Sequence, residues 1–188
     1  MRGEARREAL KTRRSNLQLD AQGSPGISAS MTLGTRPKRR ATSPDLPTEV
    51  RLLAEVIRAA PADKLQPSKT TEWGAMEILI HLVFWHQQYV SIINALLQNR
   101  KPMLLKGTFK SLNAQCIDQF SACTTAELVA SLEQSQRDLD RFSQLEGAKD
   151  IRLAFREGSK KWAFPEFRGA IAAHIRRHRL QVEKLVMS

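Results

Sequence analysis

Cysteine is scarce and long apolar runs are missing. Two cysteines in 188 residues, Cys116 and Cys123, stand seven apart in what reads as a helix. There they share a face yet are too distant for an easy disulfide, and neither belongs to a CxxC metal knuckle. Packing thiols in a reducing, cytoplasmic setting are therefore expected. The longest apolar stretch, Ile78 to Phe84, is interrupted by His81 and followed by His86, Gln87 and Gln88, far short of the ~20 residues of a membrane-spanning helix. No stretch reads as a secretory signal. There is no GxGxxG, no P-loop and no GxSxG, which removes support for dinucleotide binding, P-loop nucleotide chemistry and serine hydrolysis. Period-two alternation and solenoid-length repeats are also absent, so neither a β fold nor an array is expected.

Positive charge, by contrast, is in excess: the formal net charge is +11. Ten basic side chains lie between Arg2 and Arg40, against Glu4, Glu8, Asp20 and Asp45, which places six of the eleven charges before Pro47. The remaining body is mildly basic, and nucleic acid is not the expected partner. Residues 1–47 are poor in large apolar side chains and carry Gly23-Ser24-Pro25-Gly26 and Ser43-Pro44, so they are expected to be a disordered basic extension. Three readings of it stay open. An organelle presequence is opposed by Glu4 and Glu8; Arg36 to Arg40 suit a phosphate-binding or nuclear-type patch; a solvated extension, or a true start at Met31, needs no partner.

From residue 48 to 188 the pattern turns helical. A first helix is expected from about Thr48 to Ala60, stopped by Pro61. A second, from about Gly74 to Gln98, carries Ile78, His81, Leu82, Trp85, Tyr89, Ile92 and Ile93 on one broad side. After Asn99-Arg100-Lys101-Pro102, a looser stretch leads through Leu112-Asn113-Ala114-Gln115 to a short helix ending near Cys123. Thr124 and Glu127 form a capping box that opens the third long helix, with Leu128, Leu132, Leu139, Phe142 and Leu145 as its buried side and an end near Gly147. The last helix has Pro165 in its first turn and runs almost to the C-terminus. The fold expected is an all-α, antiparallel four-helix bundle with an elaborated connection between the second and third long helices.

Three histidines stand on apolar stripes. Around the last helix, Phe167, Ala170, Ile171, His174, Ile175, His178, Val182 and Leu185 recur at steps of three and four, so His174 and His178 sit one turn apart on one face. On the second helix, at 100° per residue, His81 lies within about 60° of Ile78, Trp85 and Ile92, whereas His86 falls about 140° round. His86 is therefore expected at a boundary or facing solvent. Three imidazoles converging in a bundle interior form an open tripod for a divalent transition metal, with Zn, Ni and Fe not distinguished. The alternative is that each is a core histidine satisfied by a hydrogen bond. His174-Ile175-Arg176-Arg177-His178 is not the HExxH signature, so no built-in general base accompanies the pair. Glu77, a turn before His81, and Gln181, three after His178, are placed to orient a ring, though Glu77 equally suits a helix N-terminus. Trp85, Tyr89 and Trp162 are candidates for a pocket over the ion, or for ordinary core packing.

Taken in order, Trp73 before Gly74 to Leu82 and Trp85, then Leu112-Asn113-Ala114-Gln115, then Trp162 leading to His174-x-x-x-His178, resemble the DinB/YfiT-like superfamily of metal-binding four-helix bundles. The related ClbS/DfsB group shares the tryptophan, helix and Leu-Asn layout. These pieces span most of residues 48–188. The resemblance implies His81, His174 and His178 as metal ligands, and an enzyme whose ion activates a small thiol or water for transfer or hydrolysis on a small molecule. Thiol-dependent transferases, isomerases and detoxifying or stress-response proteins are the relatives it brings in. The competing expectation is a non-enzymatic binding module using Arg168, Arg176 and Arg179 as an outer basic face. Homodimerisation through a bundle face has no residue that signals it.

Overall fold

The computed structural model describes residues 45–188 apart from Lys69 and Thr71. Of the basic extension, positions 1–44 lie outside the described residues, while Asp45, Leu46 and Pro47 belong to the start of the first helix. That helix, α1 (Leu46–Ala59), begins two residues earlier than expected. The reason is a local one: the Asp45 carboxylate accepts the Thr48 amide and hydroxyl, at 3.3 and 2.9 Å. It takes the role of N-cap, and Pro47 falls in the first turn, where a missing amide costs little. Leu46, Val50, Leu53 and Ile57 form its buried stripe.

A short 3-10 turn, Ala62–Leu65, leads toward α2 (Ala75–Leu97). Glu77 holds the start of α2, its carboxylate accepting the backbone amides of Gly74 at 2.9 Å and Ser68 at 2.8 Å. The far end is closed by Asn99 in a left-handed conformation, φ 53°, one of the few side chains that tolerates it. Thr108 caps α3 (Phe109–Phe120), whose Leu112, Cys116 and Phe120 point inward at steps of four. This helix starts before Leu112 and stops before Cys123, so the two cysteines do not share a helix. Both are free thiols, Cys116 buried and Cys123 half-buried.

The capping box is formed as read. Thr124 Oγ1 accepts the Glu127 amide at 3.3 Å, and Glu127 accepts the Thr124 amide at 2.8 Å. It opens α4 (Thr125–Ser143), which buries Leu128, Leu132, Leu139 and Phe142. Leu145 does not join them, being 47% exposed. The helix has ended two residues before it, and the periodicity that would have turned it inward no longer applies. Gly147, at φ 77°, turns the chain into a 3-10 segment, Ala148–Asp150. A minimal antiparallel pair, β1 (Arg152–Leu153) with β2 (Trp162–Ala163), follows in register Arg152 to Ala163 and Leu153 to Trp162. Strands of two residues carry too little alternation to be seen in a sequence. The chain then enters α5 (Phe164–Met187).

The described chain is thus mainly helical. α1 packs along α5 and α4, and α2 packs against α4, α5 and α3. Leu53, Ile57, Leu82, Ile93, Leu132, Leu139 and Val182 are almost fully buried between them, each contributing roughly 1.5–3 kcal/mol through removal from water. Polar clasps fix how α5 sits. Arg179 donates to Glu49 on α1 at 3.0 Å and to Glu183 on its own helix, and Arg168 donates to Asp140 on α4 at 2.6 Å. Of the expected outer basic face, Arg176 is exposed, whereas Arg168 and Arg179 are drawn into ion pairs with neighbouring helices. Arg179, with its side chain 14% exposed, faces α1, where Glu49, together with Glu183 on its own helix, offsets the cost of burying it, and Arg168 is half-buried in its own pair. Among the described residues, no helix is long and apolar enough to cross a membrane.

Candidate metal centre

α2 and α5 lie against each other so that His81 meets His174 and His178. His174 is the middle member: its Nε2 stands 3.3 Å from His81 Nε2 and 3.0 Å from His178 Nε2. One nitrogen from each of the three rings lies within 4.8 Å of the other two. Two nitrogens bound about 2.0–2.1 Å from one zinc-like ion at tetrahedral angles stand about 3.3–3.4 Å apart. The two separations at His174, 3.3 and 3.0 Å, fall close to that edge, and the three-ring set closes within 4.8 Å. The i, i+4 spacing supplied the pair, and packing of α2 supplied the third.

Hydrogen bonds behind the rings decide which nitrogen faces inward. Trp85 Nε1–H can only donate, and it donates to Asn113 Oδ1 at 3.3 Å, which fixes the oxygen of that amide. His81 Nδ1, 3.2 Å from the same oxygen, must then carry its proton and donate as well. The Nε2 lone pair of His81 is left pointing at the other two histidines. Gln181 Oε1 does the same for His178, accepting from its Nδ1 at 2.7 Å. An outer acceptor of this kind sets the tautomer and orientation of a metal-ligating imidazole. Gln181 thus has the orienting position expected of it. Glu77 does not: both carboxylate oxygens are engaged in capping α2, as the dipole at a helix start favours.

The three rings are held neutral. Burial, followed by the charge of His178, lowers the His81 pKa to about 4, with the Asn113 hydrogen bond acting against it. His174 falls to about 3, chiefly through burial and then through His178 and His81. His178 is also lowered, again mainly by burial. Each imidazolium would be desolvated beside another. Neutral imidazoles with converging lone pairs are the form in which histidine accepts a cation, so the donor set fits a borderline-soft divalent ion.

A cavity of about 220 Å³ adjoins His81 and His174. Trp85, Tyr89 and Trp162, the three expected pocket residues, all line it, together with Phe109, Phe155 and Phe167. A second cavity, about 430 Å³, reaches His178 and Gln181 from the side of Trp73 and Glu72. Trp73 packs on His81 with ring centroids 5.1 Å apart. A further cavity, about 610 Å³ and larger than either of these, lies where Ile57, Arg58, Met76 and Thr124 meet. No histidine, cysteine or carboxylate lines it, so size does not mark the chemistry.

His86 departs from expectation. It does not join the cluster, yet it is 1% exposed rather than at a boundary or in solvent. The wheel assumes one buried face, whereas α2 is enclosed by α3, α4 and α5 at once. Packed beside Tyr89 at 5.9 Å between centroids, His86 has its pKa lowered to about 4, first by burial, with the Leu82 backbone and the Gln136 side chain opposing.

Asn113, Phe109, Phe155 and Phe167 were not assigned to the site from sequence. Asn113 stands in the Leu112-Asn113-Ala114-Gln115 segment, the one signal that marked it. Phe155 lies in a stretch without periodicity, between β1 and β2. No protein-family model, no curated protein and no solved structure matches this chain, so its likeness to the DinB/YfiT-like superfamily rests on its own motifs.

Proposed function

We propose that the chain is a metal-dependent enzyme of the DinB/YfiT-like kind, its four long helices forming an antiparallel bundle around one divalent transition ion held by His81, His174 and His178. The observation that carries this reading is the convergence of one ring nitrogen from each of the three histidines within 4.8 Å. Asn113 and Gln181 behind two of the rings support it. His81, His174 and His178 would hold a Zn, Ni or Fe ion, which would supply Lewis-acid activation of a small thiol or of water near neutral pH.

The chain's own residues do the rest. Asn113 and Gln181 hold the ring nitrogens in place, so the ligand geometry is set before anything binds. Trp85, Tyr89 and Trp162 exclude water from the side of His81 and His174 and hold the substrate's apolar part. No carboxylate lines that cavity, which favours transfer to or hydrolysis of a small molecule over peptide cleavage with a fixed glutamate base. The reading places the protein in the cytoplasm, in detoxification or stress response, with a low-molecular-weight thiol as co-substrate.

Elemental analysis of protein purified without a metal-affinity tag tests it. A single Zn, Ni or Fe ion per chain is expected, lost in His174→Ala, with thiol-transfer activity in a substrate screen disappearing alongside. Wild-type protein that carries none of these ions and takes none up would overturn the reading.

A further inference from the structure

The cavity beside His81 and His174 restricts its occupant by both shape and charge. Five rings close a circuit around it: Trp85 to Phe109 at 5.8 Å, Phe109 to Phe155 at 6.0 Å, Phe155 to Phe167 at 6.4 Å, Phe167 to Tyr89 at 4.8 Å, and Tyr89 back to Trp85 at 6.2 Å between centroids. Trp85, Tyr89 and Phe167 are buried and make the floor, whereas Phe109 is 48% exposed and marks the mouth. At about 220 Å³, the space exceeds the roughly 150 Å³ of a dry apolar cavity that accepts benzene. A single ring fits, and a much larger ligand does not.

Charge is excluded for a separate reason. No Lys, Arg, Asp or Glu lines the cavity; Arg156 and Lys160 lie against two of the lining rings, Phe109 at 4.8 Å and Trp162 at 4.6 Å, so in the metal-free chain a charged group carried to the His81 end would lose hydration with no counter-charge there. Among the polar side chains of the lining, His81 and His174 stand together, their Nε2 atoms 3.3 Å apart. The Trp85 N–H is already committed to Asn113.

We propose that this cavity binds an uncharged molecule with one flat ring, which enters past Phe109 and directs its single polar end at His81 and His174. The inference rests on the metal-site reading only for what that polar end meets.

The full chain, loaded with zinc and separately stripped with a chelator, is titrated with benzyl alcohol and with benzenesulfonate while tryptophan fluorescence is followed. Benzyl alcohol is expected to bind both forms, and to bind the stripped form at least about tenfold more tightly than benzenesulfonate, the same ring carrying a charge. Ala170→Trp, which adds bulk at an exposed position of the lining, is expected to abolish benzyl alcohol binding while zinc uptake persists. Equal affinity of the stripped form for the two ligands, its preference for the sulfonate, or unchanged binding in Ala170→Trp would overturn the inference. Should that variant not fold, 4-fluorobenzyl alcohol followed by fluorine NMR in the stripped wild type makes the same decision. Displacement by benzyl alcohol but not by benzenesulfonate supports the inference, and displacement by both equally overturns it. Zinc uptake without benzyl alcohol binding refutes the cavity inference alone; benzyl alcohol binding without zinc uptake refutes the metal reading alone.

Discussion

His81 and His86 occupy the same helix, both buried, at 7% and 1% exposure, and burial lowers both pKa values to about 4. By those measures they are equivalent. They differ in company: His81 Nε2 meets a second imidazole at 3.3 Å and its Nδ1 is held by an amide oxygen, while His86 is packed beside a phenol ring. Perturbed titration marks a buried histidine of either kind. Convergence of ring nitrogens, with acceptors behind the rings, is what sets the His81 cluster apart from the lone core histidine His86.

Replacing members of each group sharpens that contrast. His174→Ala removes the middle nitrogen, and zinc affinity should fall by more than the ~10–100-fold typical of losing an outer partner of a ligand. A chelator-competition titration measures it, and a smaller loss would mean His174 is not a ligand. Asn113→Ala leaves all three imidazoles but frees the His81 tautomer. Its expected cost is about 10–100-fold in zinc affinity, and unchanged affinity would show that the amide only satisfies Trp85.

The pH dependence of stability involves both histidines. In the metal-free protein the folded-state pKa values of His81, His174 and His86 lie near 4, 3 and 4, below the ordinary 6.5 of the unfolded chain. As pH falls below about 6.5 the unfolded state takes up protons first. The stabilisation is therefore complete above that pH and is lost progressively toward pH 4. His86 alone should account for on the order of 2 kcal/mol between pH 7.5 and 5. Urea unfolding midpoints at the two pH values check this, and His86→Leu should remove part of the slope. A midpoint that does not move would contradict the burial described for these rings. The smallest effect expected is that of His86→Leu on zinc affinity at pH 7.5, within about twofold of wild type, because no ligand or outer partner is touched.

Much of this contrast was legible in the sequence, and the part that was not has physical causes. Helix positions followed from local signals: the Thr124 and Glu127 box, Pro61 after α1, and the apolar stripes of α2 and α5. His174 and His178 were paired by helix periodicity alone, and His81 was drawn toward them by its place near Ile78 and Trp85. His86 was misread because a wheel assigns one inner face, and α2 has neighbours on several. Leu145 was misread because a stripe was extended beyond the helix carrying it. Arg179 looked like surface charge until Glu49, more than a hundred residues away, came to meet it. Asn113, Phe155 and Phe167 join the site through tertiary placement of α3, the hairpin segment and α5, which no local period records.

Zinc titration of the untagged chain by calorimetry, comparing wild type, His174→Ala and His86→Leu, tests the three-histidine centre most directly. Wild type and His86→Leu should bind a single ion with closely similar affinity, and His174→Ala should show little or no binding over the same range. A wild-type chain that binds no zinc, or His174→Ala and His86→Leu binding it equally well, would contradict the assignment of His81, His174 and His178 as one metal site.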